Sequence, residues 1–170
     1  GLKRKFYIFI AVFVTCFALY DQIPKDSSKR NDGIAIKFLA EREFVKKLES
    51  TLPSGAMVYQ YPYSQYLRES KYYGWGSFAH VRLYLHSKSI HWSNGGAKNS
   101  AADNWNLRVS KLPFLQLVAE VQALGFKELV IDRTVVKDDE YALIHKELVD
   151  SGYDVSEDVP SGFAAVKLRD

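Results

Sequence analysis

Lys127-Glu128-Leu129-Val130-Ile131-Asp132-Arg133 sets three branched aliphatics in a row between charged residues. A run of that length reads as a β-strand over 128–132. What flanks it decides the fold class. Upstream, Pro113 opens a helix whose Leu117, Val121 and Leu124 share one face and which Gly125 stops. Downstream, Asp138 or Asp139 caps a helix through Val149, with Tyr141, Ile144 and Leu148 facing inward and Ser151-Gly152 ending it. Residues 153–159 and 163–168 then read as a strand pair joined at Pro160-Ser161-Gly162. Toward the N-terminus the alternation continues. Residues 34–52 are helical, with Ile36, Ala40, Phe44 and Leu48 on one face and Glu41, Arg42, Lys46 and Lys47 on others. Residues 56–61 form a strand ended by Pro62, and residues 89–93 a strand before the turn Asn94-Gly95-Gly96. Asp103 caps a helix to Lys111, while residues 77–85 fit either a short helix or a strand. Helices alternating with strands across short turns predict an α/β fold, a small layered sheet with parallel strand pairs, helices packed on it and a C-terminal antiparallel hairpin.

Charge and hydropathy place this domain. The formal net charge is +3, and Lys3, Arg4 and Lys5 supply all of it, because no acid precedes Asp21 and the remainder balances. Beyond that cluster no dense Lys/Arg run occurs, which removes the electrostatic motive for nucleic acid. Residues 6–20 follow without a charge. As a helix they rise about 22 Å against a hydrocarbon core of roughly 30 Å, and Leu2, Ile23 and the basic stems can extend that reach. Three readings stay open: a membrane span, a cleaved signal peptide and a buried core helix. The span fits best. Basic residues before it put the N-terminal side in the cytoplasm and the domain outside. The expected organisation is a transmembrane helix at 1–20, a polar linker at 21–33 and an α/β domain at 34–170. The single Cys lies inside the apolar segment, so neither a disulfide framework nor a Cys-rich zinc site is expected.

Four groups of residues can carry chemistry. Tyr59, Tyr61, Tyr63, Tyr66, Tyr72, Tyr73 and Trp75 crowd a short stretch, and flat rings with a polar handle suit sugar faces or a membrane interface. The alternative is that the strand tyrosines simply fill core and edge. Next come His80, Arg82, His86, His91 and Trp92. On a strand His80 and His86 would lie about 20 Å apart, so no metal site is expected, and Arg82 with His86 can instead hold an anionic or hydroxyl-rich ligand. The turn from Ser93 to Asn99, with Lys98, can present backbone N–H groups to an anion, or be a plain turn. It has no P-loop or dinucleotide spacing, so no cofactor is expected. Last, Asp132-Arg133 closes a strand at the edge where α/β sheets bind ligands, or forms a loop-closing pair.

Several segments together resemble a known family. They are Leu52-Pro53-Ser54-Gly55-Ala56-Met57-Val58-Tyr59-Gln60-Tyr61-Pro62-Tyr63, His80-Val81-Arg82-Leu83-Tyr84-Leu85-His86-Ser87, Ile90-His91-Trp92-Ser93-Asn94-Gly95-Gly96-Ala97-Lys98, Leu124-Gly125-Phe126 and Val130-Ile131-Asp132-Arg133. The set resembles the C-terminal extracytoplasmic region of large bacterial polytopic membrane proteins described as glycosyltransferases or as sugar or phosphoglycerol transferases of the cell envelope. In those proteins the region follows a last membrane helix ending in an Asp-Gln pair, which Asp21-Gln22 matches. The chain departs from the pattern at Asn94-Gly95, where an aromatic is expected, and in an insert at 67–77. The resemblance implies a bacterial cytoplasmic membrane location and a substrate-binding or positioning module for lipid-linked sugar or polysaccharide, with transfer catalysis residing upstream.

The expected site is a cleft at the C-terminal strand edges lined by Tyr61, Tyr63, Arg82, His86, Trp92, Lys98 and Asp132, with Arg133 adjoining. Aromatics would stack on sugars, Arg82 and Lys98 would meet phosphate, and Asp132 would accept from hydroxyls. Two other readings stand beside it: an anchored hydrolase using Asp132 and His86 as a catalytic acid/base pair, and a non-catalytic domain whose aromatic patch docks a partner protein.

Overall fold

A computed structural model describes residues 1–22, 27–65, 72, 78–94 and 96–169. The chain divides into two compact units, Gly1–Ile36 and Lys37–Asp170. Tyr66, Tyr73 and Trp75 of the aromatic stretch, and Gly95 of the turn, lie outside the described residues.

The first unit contains helix α1, Leu2–Gln22. Its described side chains are exposed on every face, Phe9 and Tyr7 among them. A helix apolar all round has no core-facing stripe. The 20 residues Lys3–Gln22 are long and apolar enough to cross a membrane. Helix α2, Ser27–Thr51, starts earlier than expected. Residues 27–33, read as linker, are therefore helical, and only 23–26 of that stretch lie outside the described residues. Polarity alone does not exclude a helix, since Ser, Lys, Arg and Asp cost only tenths of a kcal/mol each; Gly33 costs about 1 kcal/mol.

The second unit is built on a five-stranded sheet in the order β2-β1-β3-β5-β4. The strands are β1 Met57–Tyr61, β2 His91–Trp92, β3 Glu128–Asp132, β4 Val155–Asp158 and β5 Phe163–Lys167. β1 pairs in parallel with β2 and β3, and β5 runs antiparallel to both β3 and β4. The remaining helices are α3 Ala101–Val109, α4 Phe114–Ala123 and α5 Asp138–Asp150. Of the two readings of 77–85, the described residues from 78 on follow the short helix and not the strand, as single 3₁₀ turns at Ala79–Val81 and Tyr84–His86.

β3 is buried along its whole length, because helices cover both of its faces. Leu129 and Ile131 point to one face and pack with Tyr59 of β1, Ala164 and Val166 of β5, and apolar residues of α4 and α5. Val130 points to the other and packs with Val58, Phe163, Ala165 and the α2 residues Phe44, Val45 and Leu48. Burying each large aliphatic contributes about 1.5–3 kcal/mol. The buried stripe of α2 is rotated from the expected one. It runs Glu41, Phe44, Val45, Leu48, whereas Ile36 is exposed. The spacing i, i+3, i+4, i+7 makes one helix face, and Glu41 belongs to it.

Two caps also differ from expectation. Ser100, not Asp103, caps α3, its hydroxyl accepting from the Asp103 N–H at 3.1 Å. Lys137 sits at the N-cap of α5, while Asp138, Asp139 and Glu140 occupy the first turn, where negative charge meets the positive end of the helix dipole.

Candidate functional site

Strand order and crossovers converge on the C-terminal ends of the parallel strands. The chain leaves β1, passes through the 3₁₀ turns on the α2 face, where Leu83 is buried, and returns as β2. It then crosses through α3 and α4 on the opposite face before β3. Consecutive crossovers on opposite faces open a crevice at the carboxyl ends of the strands between them.

Polar side chains collect there. Ser93 Oγ accepts the Gln60 backbone N–H at 2.9 Å, tying β1 to the end of β2. Gln60 Nε2, Ser64 Oγ and both amide atoms of Asn94 are buried without a hydrogen-bond partner among the described residues. Leaving a buried donor or acceptor unpaired costs about 1–3 kcal/mol. Gly96 passes so close that a Cβ on it would lie 3.3 Å from Tyr63 Oη.

On the α2 side of this edge stands a chain of charges. Arg82 Nη2 lies 3.4 Å from Asp132 Oδ2. Its Nε lies 3.4 Å from Glu41 Oε1, close enough for charge attraction but not aligned as a hydrogen bond. Glu41 Oε2 lies 3.9 Å from His86 Nε2. Asp132 is fully buried and further held by the Thr134 N–H at 3.0 Å and hydroxyl at 2.6 Å. Burial raises the Glu41 pKa, Arg82 opposes that rise, and Asp132 adds to it. Burial lowers the His86 pKa, and Arg42 lowers it further. Phe38 stands edge-on to the His86 ring at 4.5 Å.

The structure therefore brings Arg82, His86 and Asp132 together and adds Glu41. Asp132 and His86 connect through Arg82 and Glu41, and the Asp132 carboxylate is engaged by three donor groups, which suits anchoring better than proton transfer. Trp92 lies on the same face, its Nε1–H donating to Ser87 Oγ at 2.6 Å.

The other expected residues lie elsewhere. Tyr61 packs on the α4/α5 face against Phe114, and its hydroxyl donates to Glu140 at 3.3 Å. Burial raises its pKa, and Tyr72 and Glu140 raise it further. Tyr63 donates to the buried Asp103 at 2.7 Å. That carboxylate also accepts from Gln65 and from the Asn99 N–H, so Tyr63 braces the turn after β2. Lys98 is exposed on that turn. Arg133 pairs with Glu157 at 2.6 Å and lies 4.4 Å from the Tyr141 ring centroid, not beside Asp132. The expected residues do not share one face of the sheet, because successive strand residues point to opposite faces.

Sequence reasoning missed Glu41, Gln60 and Ser64. For Glu41 a signal existed, its three- and four-residue spacing to Phe44 and Val45. For Gln60, a polar residue between two tyrosines on a strand was the only cue. No protein-family model, curated protein or solved structure matches the chain.

Proposed function

We propose that residues 37–170 form an extracytoplasmic binding or positioning domain for a hydroxyl-rich ligand, within a membrane-tethered, glycosyltransferase-like protein that acts on lipid-linked sugars or envelope polysaccharide. The observation that carries this reading is the set of buried amide and hydroxyl groups of Gln60, Ser64 and Asn94 at the C-terminal strand edge, which have no hydrogen-bond partner among the described residues. Amides and hydroxyls both donate and accept, as sugar hydroxyls do. Arg82 is already balanced by two carboxylates, so this edge favours the sugar over a phosphate. Helix α1 supports tethering, and the basic cluster before it favours an extracytoplasmic domain. A hydrolase reading is weaker, since Asp132 is engaged and fully buried.

The test is calorimetric titration of oligosaccharides and sugar phosphates into the full chain in lipid nanodiscs. The expected result is saturable glycan binding, weakened about tenfold or more by Asn94→Ala, with circular dichroism unchanged and with little gain from an added phosphate. Absence of saturable binding, or wild-type affinity retained by both Asn94→Ala and Trp92→Ala, would sink the assignment. A C-terminal topology reporter tests the side independently, and a cytoplasmic C-terminus contradicts the proposal.

A further inference from the structure

The α2 face carries a second hollow near the opposite end of β3, a groove of about 530 Å³. That lies within the range of small-molecule sites, roughly 300–1,000 Å³. One wall is the C-terminal half of α2, with Phe44 and Leu48, continued by Leu52 just past its end; the floor is β3, β5 and β4. Glu128 stands opposite Lys167 across the β3–β5 ladder, and Ser156 opposite Ala165 across the β4–β5 ladder. Directly opposed residues share a face. The short side chains of Ala165 and Ser156 leave the floor hollow beneath the larger apolar residues of α2.

The charged groups around the groove sit at different depths. Glu128 is buried at 8% exposure, and among the described residues its carboxyl has no hydrogen bond or ion pair. Lys47, Lys167 and Asp154 are exposed at the rim, with Lys127 and Asp158 half-buried. Burial raises the Glu128 pKa from 4.5 to about 7; Lys167 pulls it down and Asp154 pushes it up. Lys167 acts on this buried carboxyl across the ladder without closing an ion pair, and a ligand ammonium seated in the hollow can make that direct contact. The lysines at the rim disfavour a bare organic cation, and the buried acid disfavours a bare organic anion. A molecule carrying both charges on an apolar body answers both.

We propose that this groove binds a small zwitterionic, amino-acid-like amphiphile, its ammonium on Glu128, its apolar body against Phe44, Leu48 and Ala165, and its anionic end toward Lys47 and Lys167. The site is separate from the C-terminal strand edge and does not depend on the reading of that edge. Seating an ammonium requires the ionised carboxylate, so binding releases a proton below about pH 7. Affinity then falls by up to about tenfold per pH unit below that point. Lys167 and Asp158 on the strands, Lys127 and Asp154 just before β3 and β4, and Lys47 on α2 are the charged groups around Glu128 in the groove.

The experiment uses the isotopically labelled full chain in nanodiscs, titrated with L-phenylalanine, phenethylamine and 3-phenylpropanoate at about pH 8. L-Phenylalanine keeps the same charges across the range tested, so pH acts through the protein. It should saturably shift the backbone signals of Ala165 and Lys167 and bind at least about tenfold more tightly than either singly charged analogue. Glu128→Gln should weaken it about tenfold or more, and Lys47→Ala several-fold. No saturable shift, equal binding by a singly charged analogue, or unchanged affinity in a folded Glu128→Gln protein overturns the proposal. If Glu128→Gln does not fold, the wild-type pH series decides: an affinity constant from about pH 8 to about pH 5.5 overturns it as well.

Discussion

Glu128 and Asp132 stand at the two ends of β3, on the same face of the same sheet, and both are buried. Asp132 is closed in by Arg82 and by two donors from Thr134. Glu128 faces an open hollow, and burial holds its pKa near 7. Phe44 stacks on Phe163 at 5.5 Å and stands between the two ends, since Phe163 lies beneath Arg82 at 5.7 Å while Phe44 lines the groove. Burial alone therefore does not define an acid's role. What decides it is whether the chain supplies donors to the carboxylate or leaves that to something else.

The largest break in this comparison is removal of Arg82. Arg82→Met leaves Glu41 and Asp132 buried without their cation, which should destabilise the fold by about 3–5 kcal/mol in urea melts at neutral pH. Adding Glu41→Gln should recover part of that loss, and no recovery would mean that the two side chains are not coupled. Phe44→Ala removes the partition and should cost about 3–4 kcal/mol. A fold that tolerates it without loss would show that the stack adds little to the α2 face.

At the other end of the strand the sign is reversed. Glu128 has a folded pKa of about 7 against an ordinary 4.5, so its contribution is fully present below about pH 4.5 and is lost as pH rises through 7. The loss is on the order of 3 kcal/mol. Glu128→Gln should therefore be more stable than wild type at about pH 8 and should flatten the stability profile between about pH 4.5 and 7. A profile unchanged by the substitution would show that Glu128 does not titrate in that window. The smallest effect is expected for Trp92→Phe, which keeps an aromatic ring on the α2 face but loses the 2.6 Å bond to Ser87. It should cost about 1 kcal/mol, and a cost near zero would show that water replaces that bond.

Much of this was legible from local pattern. Three aliphatics in a row marked β3, Pro113 and Gly125 bracketed α4, and the Pro160-Ser161-Gly162 turn marked the hairpin, because each signal depends on neighbours in sequence. The candidate sites were less legible. Tyr61 and Arg133 were expected in one cleft with Arg82 and Asp132, but strand alternation sends Tyr61 to the opposite face, and Glu157, which is distant in sequence, captures Arg133. The four-residue repeat puts Glu41 on a different face from Phe44 and Leu48, whereas the packing of Phe44 and Val45 sets the rotation of α2 that buries it.

The sequence by itself determined the α/β class, the apolar N-terminal helix and the balance of charge beyond it, since hydrophobic period and charge are properties of composition and spacing. The tertiary structure alone decided which acids met cations. The strand order β2-β1-β3-β5-β4 brings Arg82 of the β1–β2 connection to Asp132 of β3 and Glu41 of α2, and sets Lys167 opposite Glu128. An electrostatic environment is a sum over neighbours in space, and those neighbours exist only once the strands have paired.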